Sequence, residues 1–371
     1  MLPYIIIFSL CCFLNAMSKN GERKILVLLS CLLLSLLAGF RDLSVGTDTN
    51  GYPELYFAEA KSLHSIHALI NLDEGLMEYD KGFLALAWFG LSLSEHIWMY
   101  FFLIELVITC FLFLAFIRLK KHFNVNIVIF TLVWMLLQYN YSMNAMRQLC
   151  ALSISFYAIS FMLDKKWIFS IIWILIAYSF HSSTLIILVA PAFYIVSHLK
   201  DKTKRHGIII AISIFSILFL VYYSFFLNFG SQIGLYQDVY INRYGIDSYY
   251  GEGHASLSAL IVSFIFFAII FISYKSNIVD KRILAFHFLV HYVYTMSRFL
   301  SYYSAYAYRI GLPFLLVSIY FFSLELSHQK ISSIQRYAAM SIIIVSWMFN
   351  SIVHGNSETV PYTSAILGIF K

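Results

Sequence analysis

An all-α, polytopic membrane bundle of about twelve spans is the fold class this sequence predicts, and three observations predict it. Hydrophobic residues make up 61% of the 371, while charged residues reach only 12%, about half the share of a soluble domain. The apolar residues gather in runs, lifting the mean hydropathy to +0.78. The runs lie near the ~20 residues a bilayer crossing needs, in a medium where a helix satisfies its own backbone. Basic residues fall mostly between those runs, so the net charge of +6 reports membrane topology and gives no sign of a nucleic-acid partner.

The first run, Leu2–Met17, has no basic stretch before it and no small-residue cleavage site after it, which makes it a span and not a cleaved signal peptide. The others are expected at 25–40, 97–118, 125–139, 148–163, 167–180, 183–198, 208–227, 256–274, 283–297, 310–325 and 337–352. Phe83–Leu93 is short for a crossing, and a full span there would break the charge pattern, so a half-helix or surface helix is expected. With both termini outside, the loops at 19–24, 118–121, 165–166, 200–205, 275–282 and 330–336 share one side. They hold seventeen of the 25 basic residues, and the positive-inside rule makes that side the cytoplasm. Two outer segments are long enough to be structured: the acidic 41–96 and the tyrosine-rich 228–255. No internal repeat, low-complexity linker or soluble domain interrupts the chain, so residues 1–371 read as a single membrane domain. The five cysteines (Cys11, Cys12, Cys31, Cys110, Cys150) sit in apolar runs, with neither a disulfide framework nor metal-ligand spacing.

The remaining basic residues are Arg41, Lys61, Lys81, Arg147, Arg243, Arg298, Arg309 and Lys371, five of them arginines. Arg41 stands in Gly39–Tyr52, a stretch holding three glycines, Asp42, Asp48, Thr47, Thr49 and Asn50 where a span meets water. An arginine there needs a counter-charge or an anionic ligand, because removing it from water is costly. Arg147 lies beside Gln148 between two spans, Arg309 opens a span after Tyr308, and Arg298 shares a helix face with His287, His291 and Tyr294. The guanidinium fork suits a pyrophosphate through paired, charge-assisted hydrogen bonds, and four such residues at one border fit a lipid-linked pyrophosphate better than a free sugar phosphate. Each taken singly also reads as a snorkelling anchor or ion-pair partner.

His181, at the outer turn before Ser182 and Ser183, is either a general base or a cap of the helix hairpin. His287 and His291 at i, i+4 are half a metal site without a third ligand, so no metal is assigned. Glu105, midway along its span, is an intramembrane acid and a weaker functional candidate. Tyr52, Tyr303 and Tyr308 offer an apolar face with a hydroxyl for sugar contact, as Gln148 offers an amide, although an interfacial aromatic belt accounts for many of the 27 tyrosines.

Gly39-Phe40-Arg41-Asp42, Val45-Gly46-Thr47-Asp48 with Tyr52, Arg147-Gln148, Phe180-His181-Ser182-Ser183 and Tyr308-Arg309 occur in that order over about residues 1–325. Together they resemble the EpsG-like branch of Wzy-type polysaccharide polymerases. The resemblance implies a GT-C-type integral-membrane glycosyltransferase of the bacterial inner membrane, working at the periplasmic face. Its donor and acceptor would be undecaprenyl-pyrophosphate-linked oligosaccharide repeats of an O-antigen or capsule, with no nucleotide sugar, cofactor or metal; a chain-length regulator is a candidate protein partner. Arg41, Arg147, Arg298 and Arg309 would hold pyrophosphate, and Asp48 or His181 would act as base, with Asp42 either catalytic or paired to Arg41. A flippase of the same glycan would instead line a path through the spans with polar residues, whereas an O-antigen ligase would want the same outer arginines.

Overall fold

The structure, a computed structural model, describes residues 1–63, 80–222, 225, 256–302 and 307–370. Those residues form helices, with one isolated β-bridge between Ser364 and Ile369. The chain packs as two compact units: residues 1–185 with 340–371, and residues 186–339.

In the first unit, α1 (Leu2–Met17) packs on α2 (Lys24–Gly39), followed by α3 (Tyr52–Ser62), α4 (Lys81–Leu93) and α5 (Ile97–Leu119). Helix α6 (Ile127–Trp134) runs on through a π-helical turn at Met135–Tyr139 to Ser142, and α7 (Met146–Leu163) and α8 (Trp167–Phe180) complete the unit. Helix α7 is the centre of the core: it packs between α5 and α8 and buries most of its length. Small residues set the closest approaches, since a Cβ on Gly39 would lie 2.8 Å from that of Phe102. Many serines and threonines within the helices turn their hydroxyls back on the preceding turn, as Ser35 does to Cys31 O at 2.7 Å, which partners those hydroxyls in an apolar layer. Trp167, Ile168, Phe169, Ile171 and Leu175 point outward from α8, an apolar exterior suited to lipid.

The polar residues of this unit gather at two ends. At one end Lys120 Nζ donates to Asn20 O, Asn20 brackets Val125 and Ile127, and Arg118 and His122 pair with Asp164. At the other end lie Arg41, Asp80, Arg147 and His181. Helix α4 buries one face, with Phe83, Leu84 and Ala87 inward, and at 13 residues it is an apolar helix too short to cross alone.

The second unit holds α9 (Val189–Ser197), α10 (Lys202–Val221), α11 (Leu257–Lys275), α12 (Lys281–Leu300), α13 (Leu312–Ser327) and the start of α14 (Ser333–Met348). Helix α12 is its hub, packing against α9, α10, α11 and α13. Asp201 and Asp280 cap the N-termini of α10 and α12 through the backbone amides of Thr203 and Arg282, so the basic loops also begin these helices.

Six expected spans coincide with helices long and apolar enough to cross: those at 97–118, 148–163, 208–227, 256–274, 310–325 and 337–352. Those at 2–17, 25–40, 125–139, 167–180 and 183–198 fall on apolar helices of 10–17 residues. The run expected at 283–297 lies on α12, whose histidines, tyrosines and Arg298 dilute its apolar character, and it belongs to neither group. A count of twelve crossings therefore exceeds the six that length and composition support among the described residues. The segment expected at 228–255, with Arg243, and the candidate Tyr303 lie outside the described residues.

Candidate functional site

The first unit builds its polar end around Arg147, the second residue of α7. One nitrogen of its fork, Nη1, pairs with Asp80 and donates to the Tyr56 hydroxyl at 3.1 Å; that hydroxyl donates to Asp80 Oδ2 at 2.9 Å. The guanidinium lies over the Tyr52 ring, 4.3 Å from its centroid. The Tyr52 hydroxyl donates to Asn144 O and accepts from Met146 N–H at 3.0 Å, which fixes α3 to the start of α7. Burial pushes both phenols up from their ordinary range, while Arg147 opposes that shift; the carboxylate of Asp48 adds to it at Tyr52 and that of Asp80 at Tyr56. The Arg147 side chain keeps 29% exposure, against 12% for Asp80. It opens on a cleft of about 550 Å³ lined by Tyr52, Leu55, Tyr56, Glu59, Ser62 and Ala58 among the described residues.

Arg41 has a different setting. It is 5% exposed, its Nη1 donates to Ala38 O and its Nη2 to Met143 O at 3.2 Å, and it lies 4.4 Å from the Phe101 ring. Burial lowers its pKa from the ordinary guanidinium value. It thus ties the end of α2 to the turn before α7. Asp42 does not pair with Arg41: its Oδ1 accepts from Ala365 N–H at 2.8 Å, and its own N–H donates to Thr363 O at 3.0 Å. Residues near the C-terminal end supply the donors instead of Arg41, so the ion pair expected as one alternative does not form.

That irregular stretch is the feature the sequence concealed. Gly46 N–H donates to Glu358 O at 2.9 Å, and Asn144 Nδ2 donates to Ser357 O at 2.7 Å. Asn140 Nδ2 donates to Thr359 Oγ1 at 2.7 Å, and the Tyr362 hydroxyl donates to Leu37 O at 2.8 Å. Residues 357–365 thereby clamp the 40–49 loop against the end of α6. Gly46 earns its place: at φ +105 its Cα faces Asn144 Oδ1, and a Cβ would come within 2.6 Å of that atom.

His181 and Gln148 belong to the same end. Gln148, 2% exposed, reaches Ser183 Oγ at 3.4 Å, so the Arg147-Gln148 and His181-Ser182-Ser183 motifs meet. Gly82 packs so closely that a Cβ would lie 2.4 Å from Ser179 Oγ, which sets Asp80 beside the same turn. Ser183 N–H points to His181 Nδ1 at 3.3 Å, which leaves Nε2 to carry the proton of the neutral ring. Structure thus joins Asp48, Tyr52, Arg147, Gln148 and His181 within one unit and adds Asp80 and Tyr56, both absent from the sequence-derived set.

In the second unit Arg298 Nε donates to the Tyr294 hydroxyl at 3.0 Å and its guanidinium lies 4.6 Å from the Tyr308 ring. Arg309 follows in the turn Ala307–Gly311, where Gly311 abuts Ser297 so tightly that a Cβ would fall 2.0 Å from its Oγ. Deeper, Glu325 Oε1 meets His287 Nδ1 at 2.7 Å, His287 Nε2 meets Ser318 Oγ at 3.0 Å, and His291 Nδ1 meets the same Oγ at 2.8 Å. Because Ser263 O can only accept, at 3.0 Å, His291 Nε2 carries a proton and its Nδ1 accepts from Ser318. His287 Nε2–H then donates to Ser318, and one further proton is shared between His287 Nδ1 and Glu325. Among the described residues no group of three His, Cys, Asp or Glu is placed to hold a metal ion.

A model of the EpsG family matches residues 24–364, nearly the whole chain. No curated protein and no solved structure matches.

Proposed function

The chain belongs to the EpsG family, whose members are Wzy-type polymerase-like, and from that premise we propose that it is a membrane glycosyltransferase that polymerises undecaprenyl-pyrophosphate-linked oligosaccharide repeats. The observation that carries the reading is Arg147, anchored by Asp80 and Tyr56 with part of its fork turned to a cleft. An arginine held from behind is oriented before a ligand arrives, so it donates to an anionic leaving group without reorganising. The basic loops at the opposite end of this unit are the support for the remaining assignment: cytoplasm there, periplasm at Arg147, in a bacterial inner membrane.

In the proposed reaction a hydroxyl of the incoming repeat attacks the anomeric carbon of the growing glycan. The bond from that carbon to the pyrophosphate oxygen breaks, and the lipid pyrophosphate leaves with the electron pair. The hydroxyl proton passes to a base. Asp48, half-buried and acting on the Tyr52 phenol beside Arg147, suits that role better than His181, whose Nδ1 already receives Ser183 N–H. His181 is left as a donor through Nε2. Arg147 takes the leaving pyrophosphate, Arg298 and Arg309 are the second unit's candidates for the other carrier, and Arg41 positions the loop that bears Asp48. Gln148 stays as a candidate sugar contact, and Tyr308, whose ring Arg298 covers, stays as one through its hydroxyl.

The test is the glycan ladder from cells lacking the chromosomal gene, complemented with wild type, Arg147→Ala or Arg309→Ala at matched membrane levels. A ladder with wild type and a single-repeat band with the variants is the expected result. Loss of all surface glycan in the deletion strain, including the single-repeat band, would instead favour export or ligation.

A further inference from the structure

The cleft beside Arg147 has two chemically distinct ends. Along α3, Tyr52, Tyr56 and Glu59 recur at i, i+4 and i+7, and Leu55, Ala58 and Ser62 complete the face they share. At one end stands the Arg147 guanidinium, resting on the Tyr52 ring. At the other stand the Glu59 carboxylate and the Ser62 hydroxyl, with the exposed side chain of Leu55 and the methyl of Ala58 between. Lys61, two residues on, lies over the Phe57 ring at 5.2 Å, and among the described residues no ion pair engages Glu59. The volume of about 550 Å³ exceeds what a pyrophosphate alone would fill and lies within the range of small-molecule pockets.

We propose that this cleft is the subsite for the sugar attached directly to the pyrophosphate, and that Glu59 and Ser62 select it. The proposal rests on the polymerase reading above and adds the substrate chemistry. A carboxylate only accepts hydrogen bonds, so Glu59 favours sugar hydroxyl or acetamido N–H groups and disfavours an acidic sugar, whose charge would oppose its own. Leu55 and Ala58 meet the apolar C–H face of the ring. Because Arg147 already covers the Tyr52 ring, that ring is not a stacking platform.

The experiment measures binding of two probes to the purified full-length protein in lipid nanodiscs: undecaprenyl pyrophosphate, and the same lipid bearing one N-acetylglucosamine. Wild type is expected to bind the sugar-bearing lipid about tenfold more tightly, the scale of one hydrogen bond to a charged group. Glu59→Gln should bring the two affinities to within about threefold while leaving the bare lipid unchanged, and Arg147→Ala should weaken both probes. An unaltered melting temperature and gel-filtration profile for Glu59→Gln, with partial recovery in Glu59→Asp, separates lost recognition from lost fold. If wild type holds the bare lipid but shows no preference for the sugar, or if Glu59→Gln keeps the preference, the subsite is overturned and the pyrophosphate reading stands. If wild type binds neither lipid, the polymerase reading falls and the subsite falls with it.

Discussion

Two carboxylate-anchored polar clusters, one in each unit, use similar parts to different ends. Around Asp80, the partner is an arginine with 29% exposure, held on one nitrogen and turned to a cleft. Around Glu325, the partner is His287, both are buried to within 1%, and Ser318 and the Ser263 carbonyl take up the remaining nitrogens of His287 and His291. Phe266 stacks on His291 at 4.7 Å and seals that side. The first cluster keeps a charged donor in reserve, whereas the second closes on itself and fastens α11, α12 and α13 together. The two clusters therefore differ in access: one is shut away among packed helices, and the other presents a charged donor to open space.

The sharpest test of that division is on the sealed cluster. Glu325→Leu leaves His287 buried without its partner and should cost about 3–5 kcal/mol, read as a large fall in melting temperature in detergent and in membrane abundance. If the variant melts like wild type and loses only polymer, the enclosed cluster is functional after all and the contrast collapses. Arg147→Ala should do the reverse, lowering polymerisation by roughly 10²–10³-fold with little change in melting temperature; Arg147→Lys should rescue poorly, since a point charge does not reproduce the fork. A smaller effect is expected for Asp80→Asn, which keeps a hydrogen-bond acceptor for Tyr56 and Arg147 but removes the charge. It should lower activity about tenfold, the scale of a supporting partner, mainly in turnover and not in KM. Smallest is Tyr362→Phe, which removes one hydroxyl donating to Leu37 O and should cost about 1 kcal/mol of stability with activity retained.

Much of the fold was legible because helix formation in an apolar medium is local. The helices over 2–17, 97–119 and 167–180 follow their apolar runs nearly residue for residue, and Arg147 stood out because a cation at a span end needs a reason. What escaped was every contact that joins distant parts of the chain. Asp80 read as one acid among many in 41–96, and nothing local marks it as the partner of Arg147, 67 residues on. Glu325 and Ser318 belong to the helix after His287 and His291, so the histidines read as half a metal site when they are two links of a hydrogen-bond chain. Asp42 sits next to Arg41 in sequence, which suggested pairing, yet the better donor is an amide 323 positions away. Adjacent residues in a turn need not face each other.

The clamp that residues 357–365 place on the 40–49 loop also bears on biosynthesis. The loop leaves the ribosome early, but the carbonyls that receive Gly46 N–H and Asn144 Nδ2 come much later in the chain, that of Ser357 213 residues after Asn144. During insertion the Arg41–Asp48 segment must therefore wait, its partners unmade, while every later helix enters the bilayer. A chain cut before residue 357 would keep most of these helices but leave Gly46 N–H and Asn144 Nδ2 without their acceptors, so the polar end around Arg41 and Asp48 cannot close until that stretch has been made.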